Sequence, residues 1–130
     1  MILIDTSAWI EFLRGTGSET CIRVDELLSM DVATCQPVRM EVLAGARNEA
    51  HLEDLRRLLA RATLLPTQDA DYETAAAMYR SCRRAGDTVR RLIDCLIAAV
   101  AVGAAVPVLH RDRDFDTLAV HTDLRIDQVS

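Results

Sequence analysis

The chain opens on a short, uninterrupted apolar run that stops at a carboxylate. Residues 1–4 carry no polar side chain, and Asp5 follows them directly. A run of this kind is typical of a strand that is buried on both faces, as in the middle of a parallel sheet. We predict further strands at residues 32–35, 63–65 and 106–109, with a last edge strand at residues 125–126.

Helical periodicity fills the segments between these runs. Residues 5–7 offer three side chains that can cap a helix, and Trp9 and Phe12 follow with helical spacing until Gly15. Pro37 suits the first turn of another helix because its missing N–H would have no partner there. The same reasoning predicts helices that begin at Ser18 and after Asn48, and helices over residues 69–85, 92–102 and 114–119.

Short strands that alternate with amphipathic helices predict one α/β domain over residues 1–130. We expect a three-layer α/β/α sandwich with a short, mostly parallel sheet. Half of the residues are hydrophobic, which is enough to bury a single core. Ligands of such folds bind beyond the carboxyl ends of the strands, and Asp5 and Asp112 follow predicted strands.

Composition narrows the class of protein. The net charge is −5 and all 15 basic residues are arginine, so general affinity for nucleic acid is not predicted. The longest apolar stretch, residues 95–109, is shorter than the roughly 20 residues of a membrane-spanning helix. No export signal is recognised, so we expect a cytoplasmic protein without membrane contact. The four cysteines form no C-x-x-C pair and are expected to be free thiols.

Four acidic residues occupy unusual positions. Asp94 lies inside the apolar stretch 92–99, and Glu41 inside residues 38–44, while Asp5 and Asp112 follow strands. An isolated carboxylate in an apolar helix must be paired, protonated or bound to metal. Each acid alone also has an ordinary explanation, because an Asp after a strand often caps a helix and Asp112 can pair with a neighbouring arginine.

A shared divalent cation would explain all four acids together. Two carboxylates about 5 Å apart repel by roughly 3 kcal/mol at an effective dielectric constant near 20, and a cation reverses that repulsion. Ligation by oxygen alone suits Mg²⁺ or Mn²⁺. Ions held in this way hydrolyse phosphodiesters, so the sequence favours phosphodiester hydrolysis.

Two other classes of protein were weighed. A phosphatase or phospho-acceptor domain would also place an Asp after its first strand, but it would want Asp-x-Asp there and a lysine, and this chain has Asp5-Thr6-Ser7 and no lysine. A binding module that has lost its metal would lack one of the acids, and none of the four is missing.

Four segments together resemble the PIN-domain ribonucleases, and within them the VapC-type toxins of bacterial toxin–antitoxin pairs. They are Ile2-Leu3-Ile4-Asp5-Thr6-Ser7-Ala8-Trp9, Pro37-Val38-Arg39-Met40-Glu41-Val42-Leu43-Ala44-Gly45, Asp94-Cys95-Leu96-Ile97-Ala98-Ala99 and His110-Arg111-Asp112-Arg113-Asp114-Phe115-Asp116. The resemblance spans nearly the whole chain. It implies endonucleolytic cutting of RNA, a homodimer, and inhibition by a cognate antitoxin of the VapB type.

The resemblance also implies roles for individual residues. It makes Asp5, Glu41, Asp94 and Asp112 the catalytic and metal-binding acids, with the hydroxyl of Thr6 or Ser7 supporting a ligand or a bound water. Asp114 is ranked below Asp112 as a ligand. From the arginine content near these acids, phosphate contacts are expected from Arg90, Arg91, Arg111 and Arg113.

Overall fold

The computed structural model describes residues 1–128, and this part of the chain contains four strands and seven helices. In chain order they are β1 (Ile2–Ile4), α1 (Thr6–Leu13), α2 (Glu19–Leu27), β2 (Val32–Cys35), α3 (Gln36–Ala44), α4 (Glu49–Leu59), β3 (Thr63–Leu65), α5 (Asp69–Arg84), α6 (Leu92–Ala104), β4 (Val108–Leu109) and α7 (Arg113–His121).

The four strands form one sheet in the order β3-β2-β1-β4, and every neighbouring pair is parallel. Leu3 at the centre faces Ala33 on one side and Val108 on the other. Residues 125–126 do not form a strand with a ladder of their own; only Ile126 bridges Val108. The predicted α/β class with a parallel sheet is therefore confirmed.

The strand order explains the three layers. The chain moves outward from β1 to β3 and then returns past β1 to β4. Parallel crossovers are right-handed, so connections that run in opposite directions cover opposite faces of the sheet. Strands β1 and β4 are the pair at which the direction reverses, and the crevice beyond their carboxyl ends is where ligands of such folds bind.

Local capping decides where several helices begin. Asp5, Ser18 and Asn48 each accept a hydrogen bond from a backbone N–H of the first turn of α1, α2 and α4 respectively. Pro37 lies in the first turn of α3, as predicted. Asp112 caps α7, so that helix begins at Arg113, one residue earlier than predicted, and continues to His121.

Strand β4 is shorter than the predicted residues 106–109. The Val106 N–H donates to the Ala101 carbonyl oxygen and so belongs to the terminal turn of α6. Pro107 has no N–H to donate to the ladder. Only Val108 and Leu109 are left to pair with β1.

The core lies between the sheet and its helices. Trp9, Ile97 and Phe115 are fully buried within it, and the middle of α6 is buried on every side. Three of the four cysteines are buried, and all four are free thiols. Within residues 1–128, no helix is both long enough and apolar enough to cross a bilayer.

Candidate metal centre

Asp5 caps a helix with one carboxylate oxygen and leaves the other unpartnered. Its Oδ2 accepts hydrogen bonds from the Ser7 backbone N–H at 3.0 Å and from the Ser7 hydroxyl at 2.5 Å. Its Oδ1 is buried and has no hydrogen-bond partner among the described residues. The Ser7 Oγ also accepts from the Arg111 N–H at 2.9 Å, which joins the end of β1 to the segment after β4. The Oδ1 atom of Asp5 therefore stays available as a metal ligand, although Oδ2 caps the helix.

Asp94 is the acid whose surroundings are least suited to a charged side chain. It lies in the first turn of α6 with 2% of its surface exposed, and its Oδ2 has no partner among the described residues. Burial, followed by the charge of Asp5, raises the pKa of Asp94 to about 8. Burial also raises the pKa of Asp5 to about 6, against hydrogen bonds from Ser7 that lower it. These two carboxyl groups are crowded and poorly solvated.

Asp112 and Asp114 complete a cluster with Asp94. One carboxylate oxygen from each of the three lies within 4.8 Å of the others. Two oxygens on one Mg²⁺ are at most about 4.2 Å apart, given bonds of roughly 2.1 Å, so a small side-chain adjustment would let them share an ion. Asp112 also caps α7 through Oδ1, which accepts the Asp114 N–H at 3.0 Å.

Glu41 is the acid that helix α3 contributes to the site. It lies in the second turn of α3, where its Oε1 accepts a hydrogen bond from the Thr6 hydroxyl at 2.8 Å. Its negative charge contributes to the raised pKa of Asp5. The structure thus brings Asp94, Asp112 and Asp114 together within 4.8 Å, whereas Asp5 and Glu41 lie outside this cluster and are linked to it through their charges, Asp5 acting on Asp94 and Glu41 on Asp5.

Two consecutive arginines, Arg90 and Arg91, form ion pairs with acids of the site. The Arg90 guanidinium contacts Asp112 Oδ1 at 2.7 Å and Asp114 Oδ1 at 3.3 Å. The Arg91 guanidinium makes a close ion pair with Glu41 Oε2. Sequence reasoning placed both arginines beside the metal centre but missed these pairs, although an Arg-Arg sequence three residues before Asp94 was a usable signal.

The other two predicted phosphate contacts lie at the margin of the site. Arg111 is exposed and its guanidinium lies 3.8 Å from Glu11. Arg113 is exposed and forms no ion pair within the described residues.

His110 contacts the backbone of the cluster. Its side chain is 8% exposed and accepts the Asp112 N–H at 3.1 Å on Nδ1, while Nε2 lies 3.3 Å from Asp116. Burial lowers the pKa of His110, and its ring packs 5.3 Å from that of Phe115. These contacts give His110 a structural role, since it holds the backbone that carries Asp112.

The donor set fits a hard divalent cation. Every candidate ligand is a carboxylate, and the Asp5 Oδ1 and Asp94 Oδ2 atoms are buried acceptors to which no residue within 1–128 donates. Buried acceptors of this kind are costly unless a proton or a cation satisfies them. The residues present thus suit Mg²⁺ or Mn²⁺ better than Zn²⁺, which prefers nitrogen and sulfur.

An open cavity of about 360 Å³ adjoins Glu41. Its walls combine apolar side chains of α1, α3 and α4 with three basic or imidazole groups, Arg14, Arg47 and His51. Glu41 therefore joins the acidic site to a cavity that is large enough to receive part of a ligand or of another chain.

Residues 2–120 match the model of the PIN domain. The chain is 46% identical over 129 residues to Ribonuclease VapC11 of Mycobacterium tuberculosis and to VapC ribonuclease Mb1587 of Mycobacterium bovis, covering 96% of each chain. This chain therefore belongs to the PIN-domain family, among the VapC ribonucleases.

A solved structure agrees with this assignment. The fold superposes on a chain of VapBC-5, a VapBC toxin–antitoxin system of Mycobacterium tuberculosis, with a TM-score of 0.67. The two chains are 28% identical, and the match covers 98% of this chain and 97% of the other.

Proposed function

We propose that this chain is a metal-dependent endoribonuclease, the toxin of a toxin–antitoxin pair, which hydrolyses RNA at the acidic cluster. The observation that carries the proposal is the pair of buried, unpartnered oxygens on Asp5 and Asp94. They lie in a chain whose relatives at 46% identity are ribonucleases by name. The RNA substrate implies a cytoplasmic site of action.

Mg²⁺ or Mn²⁺ is the proposed cofactor. Asp5 and Asp94 would supply the inner oxygens, with Glu41, Asp112 and Asp114 completing the acidic set. A bound ion of this type polarises the phosphodiester and lowers the pKa of a bound water.

The chain's own side chains prepare this chemistry. Ser7 fixes Asp5 by donating to Oδ2, so that the buried Oδ1 is left without a competing donor among the described residues. Thr6 fixes Glu41 through Oε1. Glu41 also lines the open cavity, so it lies between the acidic site and the space through which a substrate could approach. Removing either hydroxyl should therefore misplace an acid rather than delete it.

Neutralisation by an antitoxin fits the same charge distribution. An acidic cluster that opens on a cavity is a natural receptor for an arginine or lysine of a partner protein. Such a side chain would occupy the carboxylates and obstruct the path of the RNA phosphate. The solved relative VapBC-5 is itself described as a member of a toxin–antitoxin system.

We also propose that the chain forms a homodimer. Met40, Tyr72 and Leu92 are each more than half exposed, although they are large and apolar. They surround two adjoining hollows that share Tyr72, Ile93 and Leu96. An exposed apolar patch of this kind is typical of an interface between chains.

The test is cleavage of circular RNA, which only an endonuclease can open. We expect the purified chain to cut with Mg²⁺ or Mn²⁺ and to stop cutting in excess EDTA. Asp94→Asn should lower the rate by at least about a hundredfold, because the variant loses a metal ligand. Transfer, ribosomal and messenger RNA fragments, tested as a panel, would identify the substrate class.

Two controls make this experiment decisive. Asp54→Asn removes an exposed acid of α4 and should leave cutting unchanged. Mg²⁺ should raise the melting temperature of the wild type but not of Asp94→Asn, because only a bound ion stabilises the fold by linkage. Cutting in EDTA, or full activity in Asp94→Asn, would reject the metal mechanism.

A further inference from the structure

Two arginines already occupy part of the acidic cluster. They are Arg90 and Arg91, the last two residues before α6. Arg90 contacts two acids, with its Nη2 atom 2.7 Å from Asp112 Oδ1 and its Nε atom 3.3 Å from Asp114 Oδ1. Arg91 donates to Glu41 Oε2.

The arginines divide the five acids into two groups. Glu41, Asp112 and Asp114 each carry an arginine, whereas Asp5 Oδ1 and Asp94 Oδ2 have no hydrogen-bond partner among the described residues. Five carboxylates against two guanidiniums leave three negative charges uncompensated when all are ionised. The cluster is thus partly neutralised by the chain itself, and it keeps a charge deficit where the unpartnered oxygens lie.

We propose that Arg90 and Arg91 are positioning residues that act as internal counter-cations. They hold Glu41, Asp112 and Asp114 in place while no ion is bound, and they compete with the divalent ion for these carboxylates. This inference rests on the proposed metal site. It makes metal binding an exchange of cations, since an ion that uses all five acids must displace a guanidinium.

The arginines are much more exposed than Asp114, one of the acids that they contact, and this difference makes such an exchange feasible. The side chains of Arg90 and Arg91 are 55% and 49% exposed, whereas that of Asp114 is 4% exposed. The acids are therefore fixed in the fold, and the arginines can turn into solvent at little cost because exposed ion pairs are weak. A released guanidinium next to the centre is then free to bind an RNA phosphate.

The backbone that carries the arginines is anchored, so only their side chains need to move. Val89 is buried next to Arg90. Asp87 pairs with His121 of α7 at 2.7 Å, which ties the start of this segment to the same helix that Asp112 caps. Displaced arginines would therefore remain beside the cluster.

The first test compares Mn²⁺ binding by calorimetry among full-length variants. We expect Arg90→Gln and Arg91→Gln each to lower Kd by about three- to tenfold, because the apparent affinity rises with the fraction of protein whose acids are free. Arg113→Gln is the matched control, since Arg113 flanks Asp112 but pairs with no acid within residues 1–128. Its Kd should change by less than about twofold, and all variants should be measured in one buffer at one ionic strength.

Melting temperatures supply a second readout. Without metal, Arg90→Gln and Arg91→Gln should melt below the wild type, because their acids lose a counter-charge. With saturating Mn²⁺ the difference should shrink. A Kd that is unchanged or higher in both variants would overturn the inference, since the arginines would then support the bound state.

A measurement on the unmodified protein avoids any doubt about folding of the variants. The Arg90 Nε–H should exchange faster with water when Mg²⁺ is added, as seen by ¹⁵N NMR, because its bond to Asp114 is broken. Arg23 is the internal control, since its guanidinium pairs with Asp127 through two contacts at 2.9 and 3.2 Å, away from the acids. An Arg90 signal that stays as protected as that of Arg23 at saturating Mg²⁺ would overturn the inference.

Failure of the proposed function has a different signature. Absence of Mn²⁺ binding in the wild type and in both arginine variants would reject the metal site, and the inference with it. Binding by all proteins with equal Kd would leave the metal site standing and reject only the competition.

Discussion

At Asp94 the requirements of folding and of metal binding conflict, because burial favours the neutral carboxyl group and a metal ion needs the ionised one. The Asp94 carboxyl group is buried in the first turn of α6, is influenced by the charge of Asp5, and receives no hydrogen bond on Oδ2 from the described part of the chain. Burial and the Asp5 charge disfavour its ionised form, which is why its pKa is raised to about 8. Metal binding requires the ionised form, so the fold keeps this group ready at a cost in stability.

This conflict predicts a pH-dependent effect of Asp94→Asn in metal-free protein. The unfolded Asp loses its proton near pH 4 and the folded Asp94 near pH 8, so between these values the folded state binds more protons than the unfolded state. Wild-type stability should therefore fall as pH rises through this window. Asp94→Asn should be more stable than the wild type at pH 8, by up to roughly 5 kcal/mol for a shift of about four pKa units, and nearly equal to it at or below pH 4.

Urea unfolding with EDTA at several pH values measures this difference. Asp54→Asn serves as the control, because Asp54 is exposed on α4 and should show no such trend. An Asp94→Asn variant that is less stable than the wild type at pH 8 would mean that Asp94 is a paired structural residue.

At the residue scale, the sequence could identify some site members and not others. Asp94 and Glu41 were visible because they interrupt apolar stretches. Asp5 was ambiguous, since a helix cap and a ligand have the same sequence signature, and the structure shows a cap that leaves Oδ1 without a partner. The Arg-Arg sequence before Asp94 indicated that arginines lie near the acids, but the particular partner of Arg90 was not visible, because Asp114 lies 24 positions away and only the packing of the fold brings it close.

Helix α6 ends in a strained conformation. Its cap residue, Ala105, has φ of 56° and is the only described residue other than glycine with positive φ. The left-handed region brings Cβ close to the following carbonyl oxygen, which costs an L-residue roughly 1–2 kcal/mol. The turn must form there because Pro107 and β4 follow immediately.

Ala105→Gly should therefore stabilise the protein, by about 0.5–1 kcal/mol, because glycine adopts positive φ without strain but has more freedom to lose on folding. The change in melting temperature measures it. Ala104→Gly, one residue earlier and still helical, should instead destabilise by about 0.5–1 kcal/mol. Equal effects of the two substitutions would contradict the strain at Ala105.

At the element scale, the starts of most helices and the bounds of β2 and β3 were predictable, and the extent of β4 was not. The caps at Ser18 and Asn48 act within three residues of their own position, so their sequence signal is local. The length of β4 depends on competition, because Val106 satisfies its N–H with Ala101 of α6 instead of joining the sheet. The strand order β3-β2-β1-β4 depends on packing of the whole sheet and has no local signature.

At the scale of the whole molecule, an exposed apolar surface around Tyr72 supports the proposed homodimer. Tyr72 is 58% exposed and lies in both of the apolar hollows between α3, α5 and α6. Removing this surface from water favours the proposed homodimer.

Tyr72→Glu should therefore shift the protein from dimer to monomer in sedimentation velocity at micromolar concentration, because a charge would be buried in the interface. Val120→Glu is the matched control, since Val120 is 76% exposed on α7 and lines neither hollow. A monomeric wild type, or a Tyr72→Glu protein that stays dimeric, would exclude this surface as the interface.

The central position of β1 has a consequence for synthesis of the chain. Asp5 leaves the ribosome long before Leu109, whose carbonyl oxygen accepts the Asp5 N–H, and before Arg111, whose N–H donates to the Ser7 hydroxyl. A nascent chain therefore cannot assemble the acidic cluster until the segment that carries Asp112 and Asp114 has also been synthesised. Translation that stops before Asp112 should yield a chain without the site.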